Sequence, residues 1–287
     1  MKRLNKPNID SAEVYAACIA GISDAGLANK FHGAREQVLL YFRHCEVLAE
    51  THLLFSLPAS TWGDNAQMVL AGVTKGEFVD LYKNYMANRS KPARKYYDKI
   101  IMTAPLGKCP LCGFGQASTL DHFLSKSRYP AFSVLCSNLI PSCTDCNKGK
   151  GSPVVTHESQ ILHPYFETSV VEQEPWLYAE VIESAPTTVR YFVFPPASWP
   201  EDLARRTANY LDQLDLARRF SIEAASEVAG LSTQLHELGA DELRRDHLSE
   251  IARIERRERT NSWKAALYEA LANSNWFLRG GYRNPQH

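Results

Sequence analysis

Apolar residues recur at helical spacing through most of this chain. Val14, Cys18 and Ile22 follow the capping-box pair Asp10 and Glu13. Between 33 and 57, an apolar stripe runs through Val38, Tyr41, Phe42, Cys45, Leu48 and Ala49, with Pro58 beyond its end. A second capping box, Thr74 and Glu77, opens a helix whose buried face is Phe78, Leu81, Tyr82, Tyr85 and Met86. Ser90 and Pro92 then restart a short basic helix over 93–102. The pattern changes at 176–183 and 188–194, where residues alternate and are rich in β-branched and aromatic types; with Pro186 between them, they predict a β-hairpin. From 201 to 278 helical spacing returns, and the arginines Arg253, Arg256, Arg257 and Arg259 alternate with glutamates as on a solvated, ion-paired face. The tail, 280–287, carries no pattern and is expected to be loose.

The predicted fold is mostly α with a small α+β insert. It divides into a helical region over 1–104, a module over 105–166, and a C-terminal region over 167–287 made of the hairpin and then helices. At 287 residues and 45% hydrophobic, the chain has enough apolar material for a substantial core. It has no run long and apolar enough to span a membrane, and the first residues lack the apolar stretch of a signal peptide, so a cytoplasmic location is expected.

Net charge is zero, but it is unevenly placed. Between Lys83 and Gly151 eleven basic residues face three acidic ones, an excess of +8 that leaves −8 elsewhere. A basic zone of this kind suits phosphates.

The same zone holds the chemistry. Cys109 and Cys112 form one Cys-x-x-Cys pair, and Cys143 and Cys146 form another thirty residues later. Two such knuckles complete a tetrahedral shell of four sulfurs, which suits Zn²⁺ and leaves no open position, so this zinc is expected to be structural. Cys18, Cys45 and Cys136 sit among apolar residues and read as buried packing thiols. Between the knuckles, Asp121 and His122 follow a short strand-like segment. Neighbours on a strand point to opposite faces, so a division of labour is natural, with one residue holding a metal and the other activating water.

Taken together, Cys109 and Cys112, Asp121-His122, Asn138-Leu139, and Cys143, Cys146, Asn147 and Lys150 resemble the zinc-bearing HNH endonucleases of the ββα-metal fold, in an H-N-N version. The likeness covers roughly a sixth of the chain. It implies a β-hairpin carrying Asp121-His122, packed on a helix that begins near the second knuckle. It also implies that Asp121 and Asn147 bind a catalytic divalent ion, most often Mg²⁺, that His122 is the general base, and that Asn138 orients the base and its loop. Ser125 stands where many members have Pro, which implies a more flexible loop. Lys126, Lys148 and Lys150 would contact phosphates, and His163, in a segment similar to those of some HNH proteins of prokaryotic defence systems, would join them or support the metal site, the alternative being a structural His that packs with its aromatic neighbours on the module.

The activity so implied is hydrolysis of DNA phosphodiester bonds, leaving 5′-phosphate and 3′-hydroxyl ends, with RNA as another substrate the motif allows. The setting between helical arms resembles effectors of anti-phage defence, restriction enzymes or toxins, many of which work with a partner ATPase or sensor. The competing expectation is a zinc-stabilised nucleic-acid-binding protein without activity.

Overall fold

The computed structural model describes residues 1–283. In it the chain forms two compact units, Lys2–Glu167 and the part from Thr168 onward. The helical region expected over 1–104 and the module expected over 105–166 therefore lie within one unit.

In the first unit, α1 (Ser11–Ala20) starts where the Asp10 carboxylate accepts the Ala12 amide, and α2 (Ala25–Glu50) starts where Asp24 accepts from Leu27. These are N-cap bonds that satisfy amides the helix leaves orphaned. The second cap places the start of α2 eight residues before the apolar stripe at 33 that predicted it. A short antiparallel pair follows, β1 (Met68–Leu70) and β2 (Val73–Thr74), turning through Ala71 and Gly72 at positive φ. This pair corrects the all-helical expectation for the region; two strands this short carry no visible period. The capping box at Thr74 and Glu77 is present in full and opens α3 (Lys75–Asp80), which continues as a wider π turn over Leu81–Met86. The basic helix α4 spans Arg94–Ile101.

Edge-on ring contacts among Tyr15, Phe31, Phe42 and Phe78 bind α1, α2 and α3 into one core. Against this framework lies an antiparallel pair, β3 (Thr119–His122) and β4 (Leu139–Ser142), with Asp121 opposite Ile140 and His122 opposite Leu139. Helix α5 (Thr144–Gly149) follows directly. Polar bonds hold this segment from two sides: Ser133 Oγ donates to Phe78 O of the framework at 2.7 Å, and Tyr165 Oη, from the chain after α5, donates to Leu139 O at 2.8 Å.

The second unit begins with α6 (Val170–Gln173) and the predicted hairpin, β5 (Leu177–Ile182) paired antiparallel with β6 (Thr188–Val193). Helices α7 (Glu201–Gln213), α8 (Leu216–Glu237), α9 (Asp241–Glu258), α10 (Trp263–Asn273) and α11 (Asn275–Leu278) follow. Buried Asn261 fastens the hairpin: its Oδ1 accepts from Trp176 N and Leu177 N, and its Nδ2 donates to Val171 O and Glu174 O. Arg253 pairs with Glu250, as the alternating charges implied, whereas Arg256 reaches across to Glu269 on α10.

The tail departs from expectation. Gly281–Arg283 form a 3-10 turn, because Tyr282 is buried under the Arg244 guanidinium at 4.9 Å. Residues 284–287 of the expected loose tail lie outside the described residues. Among the described residues, no helix is long and apolar enough to cross a membrane.

Candidate metal centre and the Asp121–His122 site

The four paired cysteines meet in space. Cys109, Cys112, Cys143 and Cys146 are all buried, and their sulfurs lie within 4.8 Å of one another. Sulfurs about 2.3 Å from a central zinc in a tetrahedron would stand about 3.8 Å apart, and Cys112 Sγ and Cys143 Sγ are 3.8 Å apart. Backbone amides already point at two of them, Gly115 N at Cys112 Sγ (3.3 Å) and Cys146 N at Cys143 Sγ (3.4 Å). The four thiols share protons through their mutual contacts, which draw Cys112 and Cys143 below their usual range and push Cys109 and Cys146 above it. The donor set fits a structural metal such as zinc. Gly115 is a part of this centre that sequence reasoning missed: a Cβ there would stand 2.8 Å from Cys143 Cβ and 2.9 Å from its sulfur. The remaining thiols, Cys18, Cys45 and Cys136, are buried and unpaired with one another, and burial pushes all three up, Cys136 to about 11.

Asp121 and His122 sit on β3 and point to opposite faces, as strand geometry requires. Helix α5 covers the Asp121 face. Asn147 on α5 and Lys150 just past its end meet residues two apart on the strand: Asn147 Nδ2 donates to Thr119 Oγ1 at 2.6 Å, and Lys150 Nζ donates to Asp121 Oδ2 at 2.6 Å. Burial pushes the Asp121 carboxyl up from its usual range, and Lys150 beside it pulls it back. Asn147 and Asp121 thus belong to one face, and the Asn147 amide engages Thr119 through nitrogen, leaving its oxygen as the donor for a hard ion.

On the other face, His122 Nε2 lies 2.9 Å from Ser133 O. A carbonyl only accepts, so Nε2 carries the proton and Nδ1 keeps its lone pair. The ring stands edge-on to Tyr82, 4.3 Å between centroids. Burial above all, then the charge of Lys126, holds the imidazole well below its usual range and hence neutral. Tyr82 also bonds Leu120 O at 3.4 Å. Neither Tyr82 nor Ser133 had a signal in the sequence as a partner of His122: Tyr82 comes from an element distant along the chain, and Ser133 contributes its backbone carbonyl, which its residue type does not reveal.

Asn138 does not touch the imidazole. Its Oδ1 accepts from Leu124 N at 2.7 Å, and its Nδ2 donates to Leu124 O and Phe132 O, each at 3.1 Å. It clasps the loop that leaves His122 and so is a positioning residue rather than a catalytic one. Ser125 ties that loop instead of loosening it, through 2.8 Å contacts to Ser127 Oγ and Ser152 Oγ.

The four residues expected at phosphates divide. Lys148 is exposed, and Lys126 is half-buried above the Tyr82 ring. Burial chiefly, and then the charge of nearby Lys83, lowers the Lys126 pKa. Lys150 and His163 do not fit the expectation. Lys150 is buried on Asp121. His163 is buried against the Phe123 ring, 3.9 Å between centroids, and its Nδ1 accepts from Tyr165 N at 3.2 Å. It packs the core and presents nothing to a nucleic acid. A separate cleft lies beside β5 and α10, lined by Tyr178, Phe192, Glu180 and Glu269.

The chain is 30% identical over 296 residues to Protein ea31 of Escherichia phage lambda, across 98% of this chain and 100% of that protein. No family model and no solved structure matches it.

Proposed function

The chain belongs to the family of phage lambda protein ea31, and we propose that it is a metal-dependent endonuclease of the HNH type. The observation that carries this reading is one of arrangement. A strand bearing Asp121 and His122 pairs with a second strand, and the helix that follows begins at the second cysteine knuckle and returns Asn147 to the Asp121 face. That is the order strand, strand, helix, with the four sulfurs where a zinc ion would fasten the first knuckle to the helix start.

In this reading His122 is the general base. Its Nδ1 takes a proton from water, and the hydroxide attacks phosphorus in line with the leaving oxygen. The P–O bond to the 3′-oxygen breaks, giving 5′-phosphate and 3′-hydroxyl ends. Ser133 O holds the ring by its other nitrogen, so the lone pair stays aimed and free. Asp121 and Asn147 would hold the divalent ion, which when bound supplies charge neutralisation for the leaving oxygen. Asn138 keeps the loop, and hence Ser133, in place. Lys126 and Lys148 supply charge for the backbone phosphates.

DNA is the proposed substrate, RNA the comparison. The same proposal places the chain in anti-phage defence or restriction, governed by a partner ATPase or sensor, which predicts slow cleavage by the isolated chain at physiological salt. A second reading, a zinc-stabilised nucleic-acid-binding protein without activity, gains from one observation: Asp121 already has a counter-ion in Lys150. The two separate on incubation of plasmid DNA and of structured RNA with the zinc-loaded protein, with Mg²⁺ or Mn²⁺ and with EDTA. Ion-dependent nicking that His122→Ala abolishes supports the nuclease. Tight binding with no cleavage under any ion supports the second reading.

A further inference from the structure

Lys150 is a charged residue with 9% of its surface exposed. A buried ammonium is costly unless oxygens take its protons. Three oxygens converge on this one: Asp121 Oδ2 at 2.6 Å, His122 O at 2.5 Å and Phe123 O at 3.3 Å, with the Phe123 ring beside them at 5.8 Å. Its three protons therefore each have a partner. One carboxylate and two successive carbonyls around one positive centre is also the donor set of a hard-cation site. The sulfur centre gathers ligands and no positive charge, whereas this site already contains its cation.

Two cations do not share one carboxylate in a buried site without strong repulsion. Lys150 stands just past the end of α5, and the chain turns at Gly151 with φ +65°. Its release would therefore draw on the chain end of α5 and not on the β3–β4 pair or the cysteine knuckle.

We propose that Lys150 is the resident counter-ion of the Asp121 site, and that a divalent cation enters by exchange, releasing the Lys150 ammonium from Asp121. The exchange replaces one cation on Asp121 by another, raising the charge beside the carboxylate from +1 to +2, and makes the ion-free site a closed one. The inference rests on the reading of Asp121 as an ion ligand and adds the regulation of that site.

The test is Mn²⁺ binding to the zinc-loaded full-length protein, followed by the electron-spin signal of the free ion, in the wild type, Lys150→Gln, Asp121→Asn and the double variant. The expected result is weak wild-type binding that Asp121→Asn removes, at least tenfold tighter binding in Lys150→Gln, and loss of that gain in the double variant. Equal or weaker binding in Lys150→Gln overturns the exchange while leaving the ion site standing. Absence of Asp121-dependent binding in every variant overturns both the exchange and the ion site on which it rests. Should Lys150→Gln fail to fold, the wild type answers alone. Isotope-coded lysine methylation read by mass spectrometry is expected to modify Lys150 several-fold faster with saturating Mn²⁺ than without, and an unchanged rate overturns the proposal.

Discussion

The two ends of α5 hold two polar centres of opposite character. At its start, Cys143 and Cys146 join Cys109 and Cys112 in a set of four donors with no positive charge among them. At its far end, Lys150 carries a positive charge into a set of oxygens around Asp121. The first centre is incomplete without a cation from outside. The second is complete as it stands and, by the proposed exchange, would admit one only by giving up its own. Four close thiolates repel until a metal binds, so such a metal becomes part of the fold. A carboxylate paired with lysine folds without the ion, so ion binding there is free to act as a later event.

The contrast breaks first on metal removal. Stripping the metal from the cysteines is expected to cost on the order of 10 kcal/mol of coupled folding energy. Thermal unfolding monitored by circular dichroism should show the first unit melting early, whereas removal of weakly held Mg²⁺ or Mn²⁺ should leave the melting curve in place. Unfolding that ignores zinc removal would mean the sulfur set is not a structural centre.

Next in size is Asp121→Ala, which leaves the Lys150 ammonium buried without its carboxylate. Losing one partner of a buried pair costs about 3–5 kcal/mol. In urea the midpoint should fall well below that of Asp121→Asn, which keeps an oxygen at the same place. Equal midpoints would mean that charge pairing contributes little at this site.

Gly115→Ala sharpens the first centre. Its Cβ would press on Cys143, and loss of close support around a metal ligand typically weakens affinity by about 10–100-fold. Competition with a chromophoric chelator measures this, and an unchanged zinc affinity would show that the knuckle yields freely.

The smallest effect separates two lysines that stand two residues apart. Lys148 is exposed and Lys150 buried. Lys148→Ala should reduce the slope of log affinity against log salt for DNA by about 1. Lys150→Gln should leave that slope alone.

Those two lysines also show how far the sequence could be read. The cysteine pairs were legible because a knuckle is local geometry, and two residues between thiols aim both at one point. The β5–β6 hairpin was legible from its alternation, and the opposite facing of Asp121 and His122 from strand geometry alone. Lys148 and Lys150 look alike in the chain. Only the packing of α5 on β3 turns one outward and buries the other. His163 had two readings in the sequence, a phosphate ligand near a nuclease-like motif or a structural residue packed with its aromatic neighbours, and the Phe123 ring on its face decides for the second. Asn138 was expected to orient the base and its loop, and its bonds go to the backbone of Leu124 and Phe132, partners that were not visible from spacing. The β1–β2 pair escaped because two- and three-residue strands leave no period, and the Tyr282 turn because its partner, Arg244, lies far back along the chain.

The central claim is that one helix unites a fixed structural metal with a separate, exchangeable ion used for cleavage. The most direct test follows a supercoiled plasmid with the purified protein after mild EDTA treatment, with metal content measured in the same sample. The account predicts one retained zinc per chain, no nicking in EDTA, nicking restored by Mg²⁺, and none at any ion concentration with zinc-loaded His122→Ala. Nicking that persists in EDTA, or a zinc-loaded His122→Ala protein that cuts at the wild-type rate, would contradict it.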